Sequence, residues 1–470
     1  MQKFIGREKE ILKLDQYMKS SKSEFIVIYG RRRVGKTFLI RYFFKNSFTF
    51  QATGLANVSE KQQLIQFHSE LMRYNESSIE LIPAQNWYSA FDNLRSLIEN
   101  NISTEKKVIF FDELPWLAKG NKFVSALEHF WNSWASTRDD ILLIGCGSAA
   151  SWMIDKIINN RGGLHNRITG KIKLEPFTLA ETELFLKNND LDLDRYQILI
   201  LYMVLGGIPF YLEQLQKGYS TMQNINSLCF QKNAVFRTEF QNIFRSLFKN
   251  SDNYVLVIES LVKKKKGLTR DEIAYVSGLS NGGGLTKILN ELEQSSFIRK
   301  YNYIGNKAKN SLYQLIDPYS LFYLNFIKET SAYDENFWIN IIDTPKFYAW
   351  SGYSFELICL LHVQEIKIAL GISGIQTSVA SWNCENAQID LVIDRKDHVI
   401  SLCEMKFAQS KFSIDRIYEE NLKNKLEQFK EKTGTKKSLF LTLVTTYGLS
   451  DNKYASLIKN LITMDDLFQS

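Results

Sequence analysis

The chain reads YGRRRVGKT at residues 29–37, and this stretch determines how the first half of the molecule folds. It matches the pattern G-x-x-x-x-G-K-[ST], in which a glycine-rich loop turns its backbone N–H groups toward phosphate oxygens. The apolar run at residues 25–29 predicts a buried parallel strand before the loop, and residues 38–44 predict a helix after it. Lys36 would then reach the β- and γ-phosphates of a nucleotide, and the Thr37 hydroxyl would bind Mg²⁺.

A second apolar run, KKVIFFDE at residues 106–113, ends in two acids. At the end of a strand beside the loop, Asp112 would hold Mg²⁺ through water and Glu113 would polarise the attacking water. Two acids at this position can also cap a helix, but the loop upstream favours the catalytic interpretation. A further strand is predicted at residues 141–148. Its last residue, Ser148, would either sense the γ-phosphate or cap the next helix.

Two arginines precede a predicted fifth strand at residues 171–175. Either Arg161 or Arg167 could stabilise the charge of the transition state, in cis or across a subunit boundary. Arginines on an ordinary solvated surface are the alternative. Of the two, we favour Arg167.

Length and composition set limits on the remainder. A chain of 470 residues with 45% hydrophobic residues is expected to form about two to four domains. The formal charge of +7 permits contact with nucleic acid without requiring it. No apolar run reaches the length of about eighteen residues that a membrane span needs, and the first residues lack a signal-peptide core. The five scattered cysteines form no C-x-x-C pair, so we expect a cytoplasmic protein with reduced, mostly buried thiols.

Helical patterns dominate residues 177–245, with a break at Gly206-Gly207-Ile208-Pro209. Such a break can bring the backbone close to a nucleotide base, or it can be a plain corner between helices. Three helical patterns and two short strands then follow within residues 249–330, which is typical of a winged helix-turn-helix.

A lysine run at residues 263–266, with Lys307 and Lys309, could contact the DNA backbone from this region. Glu291 and Glu293 on the third helix weaken the case for contacts in the major groove. Contact with DNA and contact with a protein therefore remain equal alternatives.

The last part of the chain carries a second group of charged residues. Residues 388–394 and 399–406 predict a β-hairpin with Asp390 on one strand and Glu404 and Lys406 on the other. Side chains two apart on a strand face the same way, so the hairpin brings Asp390 opposite the other two. Two carboxylates that hold Mg²⁺, beside a lysine that orients or activates water, suit the hydrolysis of a phosphodiester.

Glu356, on a helix predicted to open at Ser354, could add a ligand to that metal. Charged residues that alternate on a half-exposed sheet are the alternative explanation of the hairpin. The strands are otherwise apolar, however, and charges that interrupt a buried run cost free energy, which favours a function.

Together these stretches resemble a known family, the archaeal-type AAA+/STAND-related ATPases that carry a C-terminal PD-(D/E)xK nuclease-like domain. The resemblance extends over nearly the whole chain. It differs at Ile389, where a proline is common before the first acid, but that position is loosely kept. The matching stretches are FIGREKE at residues 4–10, GRRRVGKT at 30–37, FDELPW at 111–116, GGIP at 206–209, and Asp390 with EMK at 404–406.

The resemblance implies an α/β fold: a parallel AAA+-type sheet in the order 5-1-4-3-2, a helical lid, a winged helix and a restriction-endonuclease-like domain. It also implies that residues 6–8 lie near the adenine and that Pro209 approaches it from the lid. The expected bounds are 1–176 for the ATPase domain, 177–248 for the lid, 249–330 for the winged helix and 331–470 for the nuclease-like domain.

The expected site residues follow from the patterns and the resemblance together. Those expected to contact ATP are Gly6, Arg7, Gly30, Arg33, Val34, Gly35, Lys36, Thr37, Phe38, Ser148 and Pro209. Those expected to bind Mg²⁺ are Thr37 and Asp112 in the first site and Glu356, Asp390 and Glu404 in the second. Those expected to be catalytic are Glu113, Arg167, Asp390, Glu404 and Lys406.

We therefore expect an ATP-hydrolysing protein coupled to a metal-dependent nuclease-like domain that acts on nucleic acid, with DNA as the first candidate. One alternative is a regulatory or signalling ATPase whose terminal domain binds without cutting. Another is a chaperone-like ATPase with protein clients. Assembly into an oligomer through the ATPase domain is compatible with all three.

Overall fold

The computed structural model describes residues 4–76, 79–103, 105–118, 120, 122–160, 162–302, 304, 311–330 and 334–469. Arg161, Lys307 and Lys309 lie outside these ranges. The chain forms two compact units, the first ending at Pro176 and the second beginning at Phe177.

The first unit is built on a five-stranded sheet in which every pair of neighbouring strands is parallel. The strand order is β2-β3-β4-β1-β5, which confirms the order that the family resemblance implies. Its helices and strands are α1 (Glu8–Met18), β1 (Glu24–Tyr29), α2 (Lys36–Phe43), β2 (Phe50–Thr53), α3 (Glu60–Arg73), α4 (Trp87–Glu99), β3 (Lys107–Asp112), α5 (Leu114–Leu117), α6 (Lys122–Ser133), β4 (Ile141–Gly147), α7 (Ala150–Trp152) and β5 (Gly170–Lys173).

The central strands are apolar because they are covered on both faces, as parallel strands usually are. All of β3 and β4 and the first five residues of β1 are buried. Aromatic rings fill one side of the sheet, where Phe111 packs within 6.3 Å of Phe67, Phe91 and Phe123. This core fixes the carboxyl ends of β1, β3 and β4, which carry the predicted nucleotide-binding residues.

The second unit begins with helices and ends in a mixed sheet. Its helices and strands are α8 (Leu179–Asn188), α9 (Arg195–Leu205), α10 (Pro209–Leu212), α11 (Thr221–Cys229), α12 (Phe236–Leu247), α13 (Ser251–Val262), β6 (Leu268–Thr269), α14 (Arg270–Ser277), α15 (Gly283–Gln294), β7 (Ile298–Tyr301), β8 (Leu312–Leu315), α16 (Pro318–Phe322), α17 (Phe337–Ile341), α18 (Pro345–Leu361), α19 (Val363–Ala369), β9 (Thr377–Cys384), β10 (Ala387–Arg395), β11 (Val399–Lys406), α20 (Arg416–Thr433), β12 (Ser438–Thr445) and β13 (Asn460–Thr463).

The predicted winged-helix region contains α13, α14 and α15 followed by β7 and β8. These two strands are antiparallel, and β6, a short strand that the sequence analysis did not predict, pairs with the other edge of β8.

The last sheet has the order β13-β12-β11-β10-β9. Strands β9, β10 and β11 are antiparallel, whereas β11, β12 and β13 run parallel. The expected hairpin is its centre, with Leu391 opposite Cys403 and Asp394 opposite Ile400.

One predicted boundary is wrong. Helix α18 begins at Pro345, and Ser354, which was expected to open it, lies in its middle. The helix begins earlier because Thr344 accepts a hydrogen bond from the Phe347 N–H and Pro345 occupies the first turn, where its missing N–H costs nothing.

Four of the five cysteines are buried, and all five are free thiols, as expected from their scattered positions. Within the ranges given above, the structure has no helix that is both long and apolar enough to cross a membrane.

Candidate functional site

The glycine-rich loop follows β1 and leads directly into α2. Gly30, Arg33 and Gly35 all have positive φ angles, of 142°, 72° and 89°. A Cβ atom at Gly30 would lie 2.2 Å from the carbonyl oxygen of Leu174, so only glycine fits there. The loop therefore curls against the segment after β5, and the positive end of α2 begins within it at Lys36.

Arg7 reaches this loop from the amino-terminal segment. Its Nη2 donates to the carbonyl oxygen of Val34 at 3.3 Å and to that of Glu175 at 2.6 Å. Gly6 and Arg7 both have a φ of 67°, which bends the chain just before α1. The structure thus brings Gly6 and Arg7 beside the loop, and their approach to adenine stays a prediction.

Lys36 and Thr37 point toward the centre of the loop and the end of β3. The buried Lys36 Nζ donates to the carbonyl oxygens of Gly30 and Arg31 at 3.1 and 2.7 Å. Burial lowers the pKa of Lys36, an effect that the charges of Cys146, Glu113 and Asp112 oppose. The Thr37 Oγ1 lies 3.1 Å from both carboxylate oxygens of Asp112.

Burial and the neighbouring charge of Glu113 raise the pKa of Asp112. Burial therefore disfavours the ionised form of Asp112, and a bound cation would offset this. A carboxylate and a hydroxyl together provide the oxygen ligands that Mg²⁺ prefers. Thr37 and Asp112 therefore fit the ion that the sequence predicts at this place.

Glu113 and Ser148 meet because β3 and β4 are neighbours and both end here. The Ser148 hydroxyl donates to Oε2 of Glu113 at 2.9 Å, and the Ser148 N–H lies 3.4 Å from the same oxygen. Glu113 has a φ of 47°. No side chain caps the amino end of α5 or α7, so the geometry does not favour the helix-cap interpretation of Glu113 or Ser148.

Arg167 lies elsewhere on the sheet. Its exposed turn precedes β5, and the N–H of the nearby Thr169 donates to the carbonyl oxygen of Phe25 at the amino end of β1. The loop is at the carboxyl end of β1, so the structure does not bring Arg167 to the loop in cis. Action across a boundary between copies stays a prediction.

Phe38 and Pro209 are the remaining expected nucleotide contacts. Phe38 is exposed on α2, where its ring stacks at 5.9 Å on Phe4, which in turn stacks at 4.3 Å on Tyr42. Pro209 begins α10 in the second unit. Its approach to adenine stays a prediction.

The second group of charged residues surrounds a cavity of about 260 Å³ within the second unit. Helix α18 contributes Glu356, strand β10 contributes Asp390, and strand β11 contributes Glu404 and Lys406. The structure thus brings together the four residues that the sequence analysis grouped. The cavity is lined by Lys265, Lys266, Arg299, Tyr301, Gln314, Glu356, Leu360, Ser381, Gln388, Asp390, Glu404, Lys406 and Lys425.

The surroundings of the three carboxyl groups in this cavity disfavour their ionised forms. Burial, reinforced by the charge of Asp390, raises the pKa of Glu356 to about 8 and that of Glu404 to about 7. Burial also raises the pKa of Asp390, whose Oδ2 accepts a hydrogen bond from the Met405 N–H at 3.3 Å.

Glu404 is 1% exposed, and Lys425 on α20 donates to its Oε2 at 2.6 Å. Its Oε1 is buried without a hydrogen-bond partner among the residues that the structure describes. An unpaired buried oxygen beside other carboxylates with raised pKa values fits a divalent cation. The cation would coordinate the unpaired oxygen and would also balance the buried negative charge.

The side chains as they stand do not form a ready coordination shell. In the described part of the chain, no three or more His, Cys, Asp or Glu side chains are arranged to hold a metal ion. Glu356, Asp390 and Glu404 share the cavity, but Lys425 takes the place of a cation at Glu404. Binding of a metal by these residues stays a prediction.

Sequence reasoning missed several residues of the cavity. Lys425 has no distinguishing signal, because α20 carries several lysines at helical spacing. Tyr418, also on α20, was missed as well; its ring lies 5.3 Å from Lys406 Nζ. Lys265 and Lys266 were noted in the predicted winged helix, with contact to DNA and contact to a protein as equal alternatives, but not as residues that line this cavity.

Comparisons with known proteins agree with the geometry of the loop. Residues 4–215 match a family described as an ATPase domain predominantly from Archaea. An uncharacterized protein of Methanocaldococcus jannaschii is 24% identical over 432 residues, which cover 88% of this chain and 90% of that protein. An uncharacterized ATP-binding protein of the same organism is 44% identical over 43 residues, which cover 9% of this chain and 73% of that protein.

Among solved structures, a Walker-type ATPase of Pyrococcus abyssi has the same fold. It aligns with a TM-score of 0.53 at 18% identity, over 68% of this chain and 96% of that one. The parallel sheet, the glycine-rich loop and the family match lead to one conclusion: residues 4–215 belong to the archaeal-type family of P-loop ATPases.

Proposed function

We propose that this ATPase is coupled to a C-terminal, metal-dependent nuclease-like domain that acts on DNA. The observation that carries the proposal is the cavity in which Asp390, Glu404 and Lys406 converge with Glu356. Carboxylates with raised pKa values beside a lysine are expected where a protein must hold a cation and orient a water.

In the ATPase unit, the contacts of Lys36, Thr37, Asp112 and Glu113 support their proposed roles. Lys36 would exchange the carbonyl oxygens of Gly30 and Arg31 for phosphate oxygens, and Thr37 with Asp112 would hold Mg²⁺. Glu113 would orient the attacking water, and its hydrogen bond to Ser148 fixes its direction. Arg167 would act only across a boundary between copies of the chain.

In the C-terminal cavity, Asp390, Glu404 and Glu356 would hold Mg²⁺, which when bound would polarise the phosphodiester. Lys406 would orient or activate the water. Its Nζ lies over the ring of Tyr418, which directs the ammonium group within the site. Water would add to phosphorus while the ester oxygen leaves with a proton.

The intervening segments would serve as a lid at residues 177–248 and a winged helix at 249–330. The helices α8 to α12 support the first assignment. Three helices followed by antiparallel strands support the second.

Incubation of the full chain with DNA and Mg²⁺ or Mn²⁺ tests the proposal. We expect nicks with the wild type and none with Asp390→Asn or Lys406→Ala. Asp394→Asn is the matched control, because Asp394 lies on the same strand but pairs with Lys437 and not with the cavity. Lys36→Ala should abolish ATP turnover and remove any effect of ATP on cleavage.

If the wild type cleaved no DNA under any nucleotide condition, or if Asp390→Asn cleaved normally, the nuclease assignment would be wrong. The ion pair between Lys425 and Glu404 favours a second candidate, a regulatory ATPase whose terminal domain binds nucleic acid without cutting. DNA binding that persists without cleavage would support this candidate.

A further inference from the structure

The lysine run at residues 263–266 is divided between two surfaces. Lys265 and Lys266 line the cavity that contains Asp390 and Glu404, whereas Lys263 and Lys264 are not among its described lining residues. Lys264 instead pairs with Glu272 on α14 at 2.6 Å. The run is therefore not a uniform basic patch.

We infer that Lys265, Lys266 and Arg299 form a phosphate-binding wall that holds the DNA backbone against the carboxylates of the cavity. The inference rests on the proposed function, because it names what the same site binds and which segment supplies the contacts. It assigns these three residues to the C-terminal site, although they belong to the region predicted to be a winged helix.

The wall is held by a partly buried network of hydrogen bonds. Gln314 on β8 donates through Nε2 to the carbonyl oxygen of Lys265 at 2.9 Å and accepts at Oε1 from Arg299 Nε at 2.8 Å. The hydroxyl of Tyr301 donates to the carbonyl oxygen of Lys266. The backbone of both lysines is thus fixed to the small sheet, which preorganises the cationic groups.

The turn after the lysines is equally constrained. Gly267 has a φ of 84°, and a Cβ atom there would lie 2.5 Å from the carbonyl oxygen of Tyr313. Only glycine permits the chain to pass so close to β8. This close passage fixes the turn that follows Lys265 and Lys266 beside β8.

The wall also reaches the helix that carries Glu356. Lys265 Nζ donates to the carbonyl oxygen of Ala349 at 3.1 Å and lies 5.5 Å from the ring centre of Tyr353, both on α18. Burial raises the pKa of Glu356, and the charges of Lys406 and Lys265 oppose that rise. Lys265 is therefore within electrostatic reach of the acids across the cavity.

The charge balance indicates what the cavity binds. Its lining has five cationic side chains and three carboxylates, an excess of two positive charges before any metal is bound. A bound divalent cation would increase it further. The excess positive charge favours an anion, and the phosphodiester of a nucleic acid supplies one at every nucleotide.

The test compares two double variants of the full chain that change the charge equally. Lys265→Gln with Lys266→Gln alters the wall, and Lys263→Gln with Lys264→Gln alters the other half of the run. A short labelled DNA duplex is titrated with each protein over a range of salt concentrations, with Ca²⁺ in place of Mg²⁺ to allow binding without cleavage. We expect the wall variant to lose affinity roughly tenfold and its salt slope to fall by about one per lysine.

The control variant should bind within about twofold of the wild type. Lys265→Arg with Lys266→Arg should restore binding, which separates loss of charge from loss of folding. Equal losses in the two Gln variants, or no loss in the wall variant, would overturn the inference. An RNA duplex with the same dependence on the wall would support it, because the wall contacts phosphates and not bases.

Failure of the inference and failure of the proposed function give different results. If Asp390→Asn abolishes cleavage while the wall variant binds normally, the wall is wrong and the nuclease assignment stands. If the wall variant loses binding but no protein, wild type included, cleaves DNA, the nuclease assignment is wrong and the wall stands.

Discussion

Replacement of Glu356 by Gln is expected to stabilise the metal-free protein at alkaline pH. Glu356 lies on α18 at the edge of the cavity, and burial with the charge of Asp390 raises its pKa from an ordinary 4.5 to about 8. The ionised carboxylate is therefore unfavourable in the folded chain. Gln keeps the shape of the side chain and cannot ionise.

The sign of the pH dependence follows from the direction of this change. A carboxyl group with a higher pKa in the folded than in the unfolded chain keeps its proton longer when folded. Its contribution to the free energy of unfolding is complete below the unfolded value of 4.5 and is lost as the pH rises through about 8. Gln at this position removes that loss.

The magnitude has an upper limit. At about 1.4 kcal/mol per pH unit, the interval between 4.5 and about 8 corresponds to about 5 kcal/mol. Glu356 is only partly buried and shares its proton equilibrium with Asp390, so we expect about 1–3 kcal/mol. For a unit of nearly three hundred residues, this raises the melting temperature by about 2–6 °C.

Thermal unfolding with EDTA at about pH 6 and about pH 9 measures the effect. The stabilisation by Glu356→Gln should be roughly half as large at the lower pH as at the higher one. Glu385→Gln is the matched control, because Glu385 is exposed in the turn between β9 and β10 and should change stability by no more than about 0.5 kcal/mol. The reasoning would be refuted if the Glu356→Gln protein were less stable than the wild type at about pH 9. A change in melting temperature that was the same at both pH values would also refute it.

Two further predictions concern the ATPase unit. Ser148→Ala removes the hydroxyl that donates to Glu113, so kcat for ATP hydrolysis should fall about tenfold while the dissociation constant for ATP changes by less than about threefold. Steady-state turnover measures the first constant and equilibrium titration the second. Equal changes in both constants would indicate a general structural role for Ser148. Gly30→Ala would place a Cβ 2.2 Å from the Leu174 carbonyl oxygen at a φ of 142°, so the variant should lose nucleotide binding and about 3 kcal/mol or more of stability. Gly218→Ala is the control, because Gly218 also has a positive φ but a Cβ there would meet no atom within 4 Å. This variant should lose less stability and keep nucleotide binding.

The features that could be predicted from sequence are those whose parts are close together along the chain. The loop at residues 30–37 carries its own phosphate-binding groups, so a local pattern is sufficient. Asp390, Glu404 and Lys406 were grouped because a hairpin with a short turn aligns them by the alternation of a strand. Glu113 and Ser148 were each predicted at the end of an apolar run, but the hydrogen bond between them was not.

The features that could not be predicted depend on packing between distant segments. Lys425 contacts Glu404 from α20, a helix whose sequence is rich in charged residues along its whole length. Only the packing of α20 against the sheet brings Lys425 to Glu404. Lys265 and Lys266 were identified as a basic run, but their backbone is fixed by contacts of Gly267 with Tyr313 and of Lys265 with Gln314, two residues of β8 that come much later in the chain. For Arg167, action in cis and action across a subunit boundary were both left open, because the sequence does not show which copy of the chain its side chain faces.

The composition of the cavity implies that its two proposed ligands bind cooperatively. The carboxylates of Glu356, Asp390 and Glu404 partly neutralise the cationic wall, and Lys425 partly neutralises Glu404. A divalent cation bound to the carboxylates would cancel their charge and leave the wall free to attract a phosphate. Because such coupling is reciprocal, a phosphate on the wall must strengthen binding of the cation by the same factor. The raised pKa values of Glu356 and Glu404 oppose binding of the proposed cation, because a cation must displace their protons, so we expect metal affinity to rise with pH.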